Sequence, residues 1–90
     1  MIHFPFGQVV ATPGALRALE KAEQLPAAFL DRHVHGDWGD VTDADKQENE
    51  VSVEQGFRTL SAYTTSAGDR IWVLTEADRS ATILLLPEEY

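Results

Sequence analysis

Gly56-Phe57-Arg58-Thr59-Leu60-Ser61-Ala62-Tyr63-Thr64 is the stretch on which the fold turns. Upstream of it apolar residues recur at about the 3.6-residue period of a helix; beyond it they alternate with a period of about 2, so the chain passes from helix to sheet at Gly56. Phe57, Thr59, Ser61 and Tyr63 fall on one strand face, and Arg58, Leu60, Ala62 and Thr64 on the other. A turn at Ser66-Ala67-Gly68-Asp69 leads into Arg70-Ile71-Trp72-Val73-Leu74-Thr75-Glu76, rich in strand formers. A second turn, Ala77-Asp78-Arg79-Ser80, leads into Ala81-Thr82-Ile83-Leu84-Leu85-Leu86, and Pro87 ends it. Three strands joined by short turns form an antiparallel meander.

Upstream, Thr12-Pro13 reads as a helix start, with Thr12 as the cap and Pro13 in the first turn, where its missing amide costs nothing. Residues 13–23 then carry Leu16 and Leu19, with small alanines beside them, at helical spacing. Leu25-Pro26 opens a second helix to about His33, with Phe29 and Leu30 facing inward. Gly36-Asp37-Trp38-Gly39-Asp40 favours tight turns, which makes Trp38 a loop residue. Thr42 caps a third helix, Asp43 and Asp45 sit in its dipole-favoured first turn, and Gly56 ends it in left-handed conformation. Val9-Val10 leaves room for a short first strand. The expectation is a single α+β domain over residues 1–90, in which two or three N-terminal helices cover one face of a C-terminal three-stranded antiparallel meander, with a short N-terminal strand as an optional fourth member.

The chain has 90 residues, no cysteine, and seven basic against fifteen acidic side chains, a formal charge of −8. Disulfide frameworks, thiolate metal sites and cysteine nucleophiles are excluded. The acidic balance argues against direct nucleic-acid binding, which needs a basic face to replace phosphate counterions. The start lacks the pattern of a secretory signal and no apolar run spans a bilayer, so the expectation is a cytoplasmic protein without membrane contact.

Charge is concentrated in one segment. Residues 37–54 hold Asp37, Asp40, Asp43, Asp45, Glu48, Glu50 and Glu54 against Lys46 alone, which is −6 of the −8. Such a run reads either as a solvated helix face or as a surface for a basic protein partner, with Trp38 beside it. His33-Val34-His35-Gly36-Asp37 resembles the first part of the H-x-H-x-D-H signature of metallo-β-lactamase-fold hydrolases, but Trp38 stands where the last histidine belongs. A role for these histidines at the negative end of a helix is the simpler reading, and no metal or other cofactor is expected. No nucleophile elbow or phosphate loop is present, so an enzyme is a minority reading. Arg58, Tyr63 and Trp72 are residue types enriched at binding hot spots, which makes the sheet a second candidate interface, to a partner or to another copy of the chain.

Gly7-Gln8-Val9-Val10-Ala11-Thr12-Pro13-Gly14-Ala15-Leu16, Gly36-Asp37-Trp38-Gly39, Ser61-Ala62-Tyr63, Ile71-Trp72 and Thr75-Glu76-Ala77-Asp78-Arg79-Ser80 through Leu86-Pro87-Glu88-Glu89-Tyr90 together resemble a family of small acidic proteins encoded on plasmids, prophages and other mobile elements. That resemblance supplies no catalytic residues. It implies a non-enzymatic protein-binding module, an inhibitor or accessory factor of a host defence nucleic-acid enzyme of the restriction or CRISPR kind. The alternatives are a structural or regulatory homodimer and, less favoured, a small metal-dependent hydrolase built on His33, His35 and Asp37.

Overall fold

A computed structural model describes residues 3–90. Each helix begins where the capping chemistry placed it. Thr12 Oγ1 accepts from the Ala15 amide ahead of α1 (Pro13–Ala22), and Thr42 Oγ1 accepts from the Asp45 amide ahead of α3 (Asp43–Gln55). Pro26 opens α2 (Pro26–Val34) without a side-chain cap, and Gly56 closes α3 at φ +77°. The meander follows as β2 (Thr59–Thr64), β3 (Arg70–Thr75) and β4 (Ala81–Leu85), and a 3-10 turn covers Pro87–Glu89.

The three-stranded meander forms, and the short N-terminal strand for which the sequence left room joins it, which makes the sheet four-stranded and mixed. Gln8–Ala11 forms β1, and it pairs parallel to β4, giving a mixed four-stranded sheet of order β1-β4-β3-β2. The last turn of the chain fixes this arrangement from the far end. Glu89 accepts from Thr12 Oγ1 (2.5 Å), the Gly14 amide (3.2 Å) and the Leu86 amide (2.8 Å). These bonds hold its carboxyl below the usual carboxylate range, Thr12 contributing most, and place a negative charge at the N-terminus of α1.

Register divides the sheet into two faces. Tyr63, Ser61 and Thr59 lie opposite Ile71, Val73 and Thr75, with Thr82 and Leu84 continuing the rows on β4. This face carries the main core, in which Ile71, Val73, Leu84 and Tyr63 pack against Ala15, Ala18 and Leu19 of α1 and Phe29 and Leu30 of α2. A smaller cluster of Phe4, Val34 and Trp38, with Val41 and Val53 against it, lies beneath α3.

The outer edge of β2 is closed by side chains and by a loop. The Asn49 amide donates to Leu60 O (2.9 Å) and accepts from Leu60 N (3.1 Å), imitating a neighbouring strand. Ala62 N donates to Trp38 O (3.1 Å), and Asp40 N donates to Ala62 O (2.7 Å), forming a bridge at Gly39. Gly39 sits at φ +75°, and a Cβ there would run into the Ala62 carbonyl, so only glycine permits this approach. Among the described residues no helix is long and apolar enough to cross a membrane.

Candidate functional site

The third helix is built to be held at few points and to expose the rest. Only Asn49 and Ser52 are buried along its 13 residues. Asn49 ties its middle to β2, and Arg79 ties its end. From the turn before β4 the Arg79 guanidinium donates to Ser52 O (3.0 Å), Phe57 O (2.7 Å) and Glu76 O (3.2 Å) while lying 5.1 Å from the Phe4 ring centre. The last turn of α3 has no basic residue of its own, and Arg79 supplies one from across the fold. Although Glu76 and Asp78 flank it in the turn, Arg79 makes no ion pair among the described residues; its partners are carbonyls and an aromatic ring.

All seven carboxylates of residues 37–54 are exposed, but they fall into two kinds. Asp37 takes a two-pronged bond from Arg32 (2.6 and 3.3 Å) and accepts from the Gly39 amide; the Arg32 bonds are the main cause of its lowered pKa. Asp40 accepts from Thr64 Oγ1 (3.0 Å) and lies 3.8 Å from Arg70. These two serve the loop. No ion pair among the described residues reaches Asp43, Asp45, Glu48, Glu50 or Glu54.

Helical geometry sorts those five. At about 3.6 residues per turn, Asp43, Glu50 and Glu54 share a stripe pointing away from the Asn49 and Ser52 side. Asp45 and Glu48 instead rim a groove of about 740 Å³ between α3 and β2, whose apolar lining includes Val41, Val51, Phe57 and Leu60 and whose far side carries Arg58. Val51 and Phe57 are more than half exposed. An outward acidic stripe thus stands beside an apolar groove with an acidic rim.

Trp38 does not belong to this surface. It is 4% exposed, stacked 6.0 Å from Phe4 and edge-on to His33, because the Gly39 bridge turns its loop inward. Tyr63 is 1% exposed and lies on the helix-covered face, its hydroxyl donating to Asp37 O (2.6 Å) and its pKa pushed up to about 12, mainly by burial. The grouping of Arg58, Tyr63 and Trp72 therefore breaks. Arg58 and Trp72 instead meet Tyr90, at 5.7 and 5.6 Å, a partner that no pattern in the sequence had singled out.

The histidines separate as well. His35 is exposed, bonded to Asp31 O at the end of α2, as the helix-end reading had it. His33 is fully buried over the sheet, with Nδ1 2.5 Å from Ser61 Oγ and Nε2 2.9 Å from Thr75 Oγ1. Thr75 Oγ1 lies 2.7 Å from Thr82 Oγ1, whose hydroxyl donates to Phe6 O (2.8 Å). With that proton committed, Thr82 accepts from Thr75, Thr75 accepts from His33 Nε2–H, and Nδ1 accepts from Ser61. The polar seam is satisfied with one polarity, and burial lowers the His33 pKa to about 4, with Arg79 adding to the effect. The Ser61–His33 pair has the composition of a nucleophile and base but is sealed from any substrate. With His33 inside, His35 outside and Asp37 on Arg32, the H-x-H-x-D residues do not converge on a metal position. Compared with known protein families, curated proteins and solved structures, the chain matches none.

Proposed function

We propose that the chain is a protein-binding module that presents the outward stripe and groove rim of α3 to a basic partner surface. The observation that carries this reading is the succession of Asp43, Asp45, Glu48, Glu50 and Glu54 on one helix with no ion pair reaching any of them among the described residues, while Asp37, Asp40 and Asp69 each meet an arginine or lysine and Glu89 caps a helix. Asp43 and Asp45 suit the first turn of the helix, but the like-charge pairs Asp45–Glu48 and Glu50–Glu54, at three- and four-residue spacing, weaken it, so the run as a whole is not what the helix's own stability favours. An unneutralised field of one sign accelerates encounter with an opposite one.

The partner class follows from charge spacing. The five carboxylates of residues 43–54 fall about one per 3–4 Å of helix axis, with Lys46 bringing their net charge to −4, a spacing near the 3.4 Å per phosphate of a single DNA strand. A nucleic-acid enzyme with a basic groove suits that spacing, in keeping with a mobile-element inhibitor or accessory factor of host defence.

Charge reversal tests the reading. Immobilised wild type is expected to retain proteins with basic surfaces from a host lysate and release them as salt rises. D43K/D45K/E48K/E50K, with its circular dichroism unchanged, is expected to lose them by about tenfold or more. Equal retention by a folded variant overturns the proposal.

A further inference from the structure

The two edges of the sheet are not alike, and the open one is self-complementary. Gln8 N donates inward to Ser80 O and Thr12 N to Leu84 O, so by strand alternation Val9 and Ala11 present their N–H and C=O groups outward. Nothing equivalent to the Asn49 and Gly39 closure of β2 covers them among the described residues. Val9 and Val10 are 39% and 45% exposed, and Phe6 and Leu16, in the segments leading into and out of β1, are exposed as well.

We propose that β1 pairs antiparallel with β1 of a second copy about a two-fold axis at Val10, joining two sheets into one of eight strands. In that register Val9 and Ala11 of each copy exchange both backbone bonds with Ala11 and Val9 of the other, so every outward group of the strand is used. Val10, whose own amide points inward to β4, faces its symmetry mate as the close, non-hydrogen-bonded pair.

The charge distribution selects a second copy as the occupant. Residues 3–36 balance Arg17, Lys21 and Arg32 against Glu20, Glu23 and Asp31, and Glu89 at the end of β1 is already bonded to the Thr12 hydroxyl and the Gly14 amide, so two copies meet far less charge there than along α3. The acidic helix sits at the opposite edge, against β2. In the joined sheet the two β2 strands stand seven strand spacings apart, about 33 Å, well beyond the screening length of about 8 Å at physiological salt. Pairing through the β2 side would bring the two acidic surfaces together instead.

Because the chain has no cysteine, single-cysteine variants report the register directly. Val10→Cys is expected to form a diamide-induced intermolecular disulfide, since Cα atoms of facing residues in such a pair stand about 4.5 Å apart. Val9→Cys, displaced from its mate by two residues along the strand, and Val51→Cys on α3 are expected to stay largely uncrosslinked. Wild type is expected to show concentration-dependent dimer by sedimentation between about 1 and 200 µM, and a folded Val9→Lys/Val10→Lys variant to remain monomeric. A wild-type monomer throughout that range, or crosslinking of Val9→Cys as efficient as that of Val10→Cys, overturns the proposal. Neither readout depends on the acidic partner, so the two proposals stand or fall separately.

Discussion

The β2 edge is finished with side chains and bordered by charge, whereas the β1 edge is left as bare backbone with a single bonded carboxylate, Glu89, at its end. At β2 the fold uses Asn49 as a substitute strand and the Gly39 bridge as a second one, then places a helix with five unpaired carboxylates alongside. At β1 it leaves the outward backbone groups of Val9 and Ala11 without a protein partner among the described residues and places exposed apolar side chains around them. A sheet edge is protected by covering it and stays available for pairing when it is left open. Between the two runs the seam of Ser61, His33, Thr75, Thr82 and the Phe6 carbonyl, which ties β2 to the segment entering β1.

That seam offers the largest lever on the comparison. His33 is neutral in the fold, with a pKa lowered to about 4, and titrates near 6.5 when unfolded. Above pH 6.5 both states are neutral and stability is full; as pH falls toward 4 the unfolded chain takes up a proton that the fold refuses. About 3 kcal/mol of stability is expected to be lost between pH 7 and pH 4. Urea unfolding across that range checks it, with His33→Gln as the control that removes the histidine's share of the slope. If wild type and His33→Gln keep parallel stability profiles, the seam does not join the edges energetically.

The β2 edge tests the covering device itself. Asn49→Ala removes two hydrogen bonds and leaves both Leu60 backbone groups without partners at a partly buried position. A destabilisation of about 2 kcal/mol is expected, with α3 amides losing protection from hydrogen exchange before those of α1. Equal protection of the two helices in the variant would show that Arg79 alone holds α3 in place.

How much of this was readable in advance depended on how local each cause was. Thr12, Pro13, Pro26, Thr42 and Gly56 act within one turn of their own position, so the helices appeared where the sequence placed them. Strand alternation acts just as locally, and it puts Ile71 and Val73 on the opposite face from Trp72. Partners that meet from opposite ends of the chain leave no local trace. The parallel β1–β4 pairing joins residues more than 70 positions apart, and Tyr90 reaches Arg58 and Trp72 only through the terminal turn. The Trp38 loop carried correct turn signals, but turn chemistry does not say on which side a turn packs, and Gly39 turned the indole inward. At His33 a helix-end position and a core position coincide, and only the sheet beneath, with Ser61 and Thr75 in reach, selects the second. The acidic block was visible as a sum; its division into loop-serving and unpaired carboxylates needed Arg32 and Arg70 in place.

The smallest expected effect separates what the charges do for the fold from what they do for a partner. Glu50 and Glu54 are four apart on the outward stripe of α3, a like-charge pair, and Glu54 also sits next to the negative end of the helix. Glu54→Lys turns the pair into an acid followed by a base at four-residue spacing, the better order, and adds a cation in a last turn that has none. Position 54 faces away from Ser52, so the Arg79 clamp is untouched. Thermal unfolding is expected to show a gain of about 0.5 kcal/mol. A helix that is stabilised by removing its own charge keeps that charge for something outside the fold. A loss of stability in Glu54→Lys would mean that the stripe is already serving the fold, and would remove the contrast between the two edges at its source.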